Sequence, residues 1–125
     1  MTISNTIEKF NDPKHYDRYH AHVYYDADST EQARALCDAA VNQFDLHAGN
    51  FHLKLVGPHP CWSCQLTVTG EQFESVIPWL DANRQGLTIM IHAVTGDNMK
   101  DHTDLVAWLG QPIALNLDFF ATLNK

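Results

Sequence analysis

Residues 19–26 read Tyr-His-Ala-His-Val-Tyr-Tyr-Asp, with polar and apolar positions alternating over their core. Side chains two apart share a face of an extended chain, so this stretch predicts a half-buried strand. His20, His22 and Tyr24 then point one way and Ala21, Val23 and Tyr25 the other. Two imidazoles on one side of one strand suggest a metal site, because neutral imidazole is the commonest protein metal ligand. The bland alternative is a pair of surface histidines, and the neighbouring strands must decide between them.

The next segment begins with possible N-cap oxygens at Asp28, Ser29 and Thr30. Ala33, Leu36, Cys37, Ala40, Val41 and Phe44 follow at helical spacing, predicting a helix over 30–44. A second strand is expected over 51–56, with Phe51, Leu53 and Leu55 on one face and His52 and Lys54 on the other. Gly57-Pro58-His59-Pro60 cannot continue a strand, since two prolines remove two donors, and it reads as a hairpin tip. The third strand spans 63–68. A second helix is expected over 71–83, kinked or ended by Pro78, and a fourth strand over 87–92. Residues 101–109 carry Leu105, Val106 and Leu109 at helical spacing, and Ile113, Leu115, Leu117 and Phe119 alternate as a fifth strand would. The polar run from Met1 to Tyr16 is expected to lie over the surface.

Strand, helix, strand, strand, helix, strand is the ferredoxin-like βαββαβ order, an α+β sandwich here with a C-terminal helix and strand extension. Right-handed crossovers give the strand order four, one, three, two, with both helices on one face. The apolar sets must turn toward those helices, which leaves His20, His22, His52 and His92 on the opposite face. A helix-free sheet face of this kind is expected to be covered by a second subunit, giving a homodimer with two sheets facing.

The chain has 125 residues, the size of a single domain spanning 1–125. Eight basic against 15 acidic residues give a formal charge of −7, which argues against nucleic acid or an anionic membrane as partner and for a small substrate. No apolar run approaches the roughly 18 residues of a spanning helix, and residues 1–11 lack the pattern of a secretion signal. A cytoplasmic location is therefore expected, with the three cysteines as reduced thiols and not a disulfide framework. The anomaly of composition is eight dispersed histidines.

Five motifs in order carry a resemblance. They are Tyr-His-Ala-His-Val-Tyr at 19–24; His52 followed by Val-Gly-Pro-His-Pro at 56–60; Trp79-Leu80 with Asn83-Arg84; Ile91-His92 with Thr95-Gly96-Asp97; and Asp101-His102-Thr103. Together they resemble the DOPA 4,5-dioxygenase family from about Tyr19 to Phe120. The resemblance implies a ferredoxin-like dimer and a non-haem iron(II) enzyme that opens the ring of DOPA or a related catechol beside one hydroxyl, using O2. Ala93 departs from the proline that usually follows the fourth-strand histidine, and Cys61 and Cys64 stand where an aromatic often sits near the second. Both changes bear on substrate fit and point to a catechol more firmly than to DOPA.

Such chemistry needs a redox metal with open positions, because singlet catechol and triplet dioxygen do not react directly. No Asp or Glu falls on the histidine face of the four strands, so His22, His52 and His92 are the expected ligands, with His20 the first substitute. Zinc or another divalent ion can occupy such a site in purified protein. His102 and His59 are the candidate catalytic acid and base. The expected topology puts the hairpin tip at the far end of the sheet from His22, so His59 would act from a partner subunit or through a bent hairpin. Arg18, Lys54 and Arg84 are candidates for holding a carboxylate, and Tyr16, Tyr24 and Trp62 for stacking on a ring. A non-catalytic dimeric ferredoxin-like module that binds a divalent metal is the alternative. A cofactor-free monooxygenase ranks last, because it has no use for so many histidines.

Overall fold

In the computed structural model, which describes residue 10 and residues 12–123, the opening stretch forms β1 (Arg18–Tyr25) at the centre of an antiparallel sheet. The helix α1 (Thr30–Phe44) leads to β2 (His47–Phe51); β3 (Trp62–Thr69), α2 (Phe73–Asn83) and β4 (Ile89–Ala93) follow. The chain closes with a single turn α3 (Asn98–Asp101), β5 (Val106–Leu109) and α4 (Asp118–Leu123). The strand order is β2-β3-β1-β4-β5. The first four strands thus take the expected order, and a fifth extends the sheet beyond β4. Residues 1–9 of the expected surface run lie outside the described residues; Pro13–His15 form a 3-10 turn.

Period decides the helix face. Tyr19, Ala21 and Val23 have no exposed surface, and they meet Leu66 and Val68 of β3 and Ile89 and Ile91 of β4, equally buried. Over this layer α1 lays Ala33, Leu36, Cys37 and Ala40, and α2 lays Phe73, Val76, Ile77 and Leu80. Each such large apolar side chain contributes about 1.5–3 kcal/mol by leaving water. The helix α2 continues through Pro78, which can give no N–H to the carbonyl of Glu74 one turn back. Gly110, at φ 88°, allows the chain to leave β5 beside Arg84: a Cβ there would come within 2.8 Å of the guanidinium.

Three expectations fail, each over a short segment. The second strand lies at His47–Phe51, not at 51–56, because Asp45 adopts a left-handed cap at φ 56° and the chain turns at once into pairing with β3. Past it the alternation is deceptive: Leu53 and Leu55 are 59% and 64% exposed. The expected helix over 101–109 is instead a turn and the strand β5, whose Val106 to Leu109 pair with His92 to Ile89. Ala107 and Leu109 face the helices while Trp108 joins Tyr24 and Met90 on the other side, so a period of two fits this run as well as helical spacing does. The expected fifth strand at 113–119 is irregular chain leading into α4.

The face away from the helices is partly covered by the chain itself. Ile113 and Leu115 pack on the Tyr24, Met90 and Trp108 cluster, and the loop between β2 and β3 folds back over the sheet. The backbone N–H of Asn116 donates to the carbonyl of Pro58 at 2.8 Å, joining the two coverings. A second subunit is therefore not needed to shield all of this face.

Candidate metal centre

Register brings the histidines together. In the β1 and β4 pairing His20 stands opposite His92 and His22 opposite Met90, so three imidazoles emerge as neighbours on the covered face. One ring nitrogen from each of His20, His22 and His92 lies within 4.8 Å of the others. The closest approach is Nε2 to Nε2 between His22 and His92, 3.0 Å, with the rings stacked 5.1 Å apart.

Two further imidazoles close the cluster. His59, carried back by the folded loop, lies over His22 with ring centres 4.1 Å apart, and its Nδ1 meets the hydroxyl of Tyr24 at 2.8 Å. The bent hairpin thus brings His59 to the cluster within one chain. His102, following α3, sits 4.1 Å from the ring of His92, with Phe120 at 4.6 Å on its other side. The five rings border a cavity of about 260 Å3, completed by Gln65, Asn98, Asp101 and Phe120 among others. Among the described residues, the three larger clefts are lined by no histidine, so chemistry singles out this one.

Burial keeps these rings uncharged. It pushes His92 down to about 3 and His59 down to about 4, in each case aided by the nearby His102. His22, enclosed on all sides, falls well below the ordinary histidine value, first through burial and then through His59 and His92. His20 and His102 are lowered for the same first reason, partly offset by the carboxylate of Asp101. That carboxylate is already engaged, accepting from the backbone N–H of Thr95 at 3.0 Å and from its hydroxyl at 2.5 Å.

The donor set fits a divalent ion. His92 gives its Nδ1–H to the Ala93 carbonyl at 2.8 Å, and His102 gives its own to the Asn98 carbonyl at 2.8 Å. A carbonyl can only accept, so each ring keeps its lone pair on Nε2, as metal-bound histidines do when a backbone oxygen fixes the tautomer. Neutral imidazole nitrogens clustered in a protected cavity suit a borderline cation such as iron(II) or zinc.

The other expected residues lie elsewhere. His52 sits in irregular chain just past β2, where its backbone N–H donates to Ser63 and its carbonyl accepts from the Tyr25 hydroxyl at 2.6 Å. It is not among the three clustered nitrogens, because the strand meant to carry it ends at Phe51. Arg84 is held by Asp81 and the Leu87 carbonyl near the end of α2, and Arg18 and Lys54 are exposed; none borders the cavity. Tyr16 and Trp62 pack on the helix side. Tyr24 is turned toward His59 and Trp108 and is not free to stack on a ligand. Phe120, the aromatic that does border the cavity, was given no role by the sequence reading, which met it only as the end of the resemblance; Asp101 was read only as part of the Asp101-His102-Thr103 motif.

Comparison with known proteins bears on this arrangement. The sequence profile of the Dopa 4,5-dioxygenase family matches residues 19–119. An uncharacterized 21.2 kDa protein of Botryotinia fuckeliana is 30% identical over 137 residues, covering 98% of this chain and 75% of that protein. The DOPA 4,5-dioxygenase of Amanita muscaria is 40% identical over 62 residues, 50% of this chain but only 27% of that enzyme. The crystal structure of a provisionally assigned dioxygenase from Nostoc punctiforme superposes with a TM-score of 0.83 at 39% identity, covering 86% of this chain and 94% of that one.

Proposed function

The chain belongs to the Dopa 4,5-dioxygenase family, and from that premise we propose that it is a non-haem iron(II) extradiol dioxygenase that opens the ring of DOPA or a related catechol with O2. The observation that carries the reading is the meeting of five neutral imidazoles in one cavity on the strand face opposite the helices. In this assignment His22 and His92 hold the ion, and His20 takes the third place expected for His52. Bound iron(II) would supply the spin-permitted meeting of catechol and dioxygen.

The rest falls to the chain's own side chains. The Ala93 carbonyl holds His92 with its Nε2 lone pair inward. His102 and His59, which burial keeps neutral, are the catalytic groups beside the ion: according to its tautomer, a neutral imidazole takes a proton from a catechol hydroxyl and later returns it, or donates a hydrogen bond to the oxygen on which charge builds. Pro58 and Phe120 wall the cavity beside these imidazoles. We further assign the enzyme to one ferredoxin-like domain working as a homodimer in the cytoplasm. The exposed Leu53 and Leu55, on the loop that brings His59 in, support association there.

The test is direct. Protein loaded anaerobically with iron(II), then given DOPA or a simple catechol and air, is expected to consume oxygen and form a yellow ring-opened product. Retained metal with no oxygen uptake across a panel of catechols would instead favour the metal-binding module. Light scattering of the eluted protein measures the dimer.

A further inference from the structure

Tyr24 is a buried polar side chain on the histidine face of β1 that the proposed chemistry leaves unused. It is 3% exposed, packed among Met90 and Trp108, and outside the lining of the histidine cavity, whereas His59 is part of that lining. Its hydroxyl makes one hydrogen bond among the described contacts, to His59 Nδ1 at 2.8 Å. A phenol this deeply buried must place its proton on an acceptor. If His59 donated from Nδ1, that proton would have no partner among the described hydrogen bonds; if Tyr24 donates, both groups are satisfied and the imidazole proton moves to Nε2. With Nδ1 engaged by Tyr24, which lies outside that lining, Nε2 is the ring nitrogen left for the cavity that His59 borders.

We propose that Tyr24 is a positioning residue for His59: its hydroxyl donates to Nδ1, fixes the ring as the Nε2–H tautomer and presents that N–H to the cavity shared with His22, His92 and His102. The role rests on the dioxygenase reading above and divides its labour. His102, whose Nδ1–H is spent on the Asn98 carbonyl, offers a lone pair and is the base. His59 offers an N–H and keeps it, as a fixed donor toward the substrate oxygen on which negative charge builds. No proton is transferred through Tyr24. Among the five clustered histidines, His59 is the one whose hydrogen-bond partner is a hydroxyl donor from the centre of the sheet; His92 and His102 are held by carbonyls.

The first test needs neither metal nor turnover. Long-range proton–nitrogen correlation spectra of metal-free, histidine-labelled protein report which ring nitrogen of His59 carries hydrogen. The expected result is Nε2–H in the wild type and a mixture of tautomers in Tyr24→Phe. A wild-type His59 protonated at Nδ1, or a ring unchanged by Tyr24→Phe, overturns the proposal, and the wild-type spectrum decides even if the variant folds poorly. In the iron-loaded enzyme, Tyr24→Phe is expected to lower kcat about tenfold, the size of one orienting hydrogen bond, while KM and iron content stay unchanged. The same substitution in a His59→Ala background is expected to add nothing. A further loss there, or loss of iron from Tyr24→Phe alone, would place Tyr24 in a different role and overturn the assignment. Wild-type protein inactive on every catechol, yet showing the expected tautomer, would overturn the dioxygenase reading and with it the donor role, while leaving the hydrogen bond as described.

Discussion

The two faces of the same sheet follow opposite rules. On the helix side, Tyr19, Ala21, Val23, Leu66, Val68 and Ile89 are buried in one apolar cluster with the helices. On the other side, the same strands bury His22 and His92 at 5% and 3% exposure against each other and the rings of His59 and His102. One face is complete as folded. The other holds basic groups in a protected place where they cannot easily be protonated, an arrangement that costs stability at low pH and leaves lone pairs for a cation. The proposed site sits on the face that packing alone would not have built.

Breaking the first face should produce the largest effect. Leu66→Ala removes a fully buried side chain of β3 from the helix-side core, and should cost about 3 kcal/mol, read as a lower denaturation midpoint at unchanged slope. Metal affinity per folded molecule should be untouched. On the second face, His22→Ala should reverse the pattern: divalent-metal affinity, measured by competition with a chelator, should fall at least about a hundredfold, while the metal-free protein loses little stability. A His22 variant that still holds its metal as tightly as the wild type would remove this residue from the ligand set.

Acid sharpens the same contrast by a smaller step. Burial lowers His92 to about 3 and His59 to about 4, below the value of an unfolded histidine, about 6.5. Below pH 6.5 the unfolded chain therefore binds more protons than the folded one. Metal-free stability should be independent of these groups above about pH 7, fall by about 1.4 kcal/mol per pH unit for each such ring as the pH drops, and level off once each folded-state value is passed. Denaturation followed at successive pH values checks this. His92→Phe, which keeps a ring but removes the titrating nitrogen, should flatten the slope; an unchanged slope would mean that the ring is not shielded as its burial implies.

Legibility in the sequence followed the same divide. The alternation of 19–25 and the spacing of 30–44 named both faces of β1 and the bounds of α1, because a long segment fits one period only. That sufficed to bring His20 and His22 beside His92, since register follows once the apolar set must face the helices. The reading went astray where segments were short or unpaired. Phe51, Leu53 and Leu55 alternate without belonging to one strand, and 106–109 fits either period, so backbone pairing with β3 and β4 decided both. The return of His59 to the cluster depends on a loop folding across the sheet and being tied by Asn116, a contact between residues 58 apart for which no local pattern exists.

That single amide-to-carbonyl tie, Asn116 to Pro58, has an evolutionary reach. It links the tail of the chain to the segment bearing His59, so substitutions in either strip can retune the shape of the chamber while the rigid platform beneath stays untouched. Descendants of this scaffold can acquire new preferences by editing its roof and leaving its floor alone.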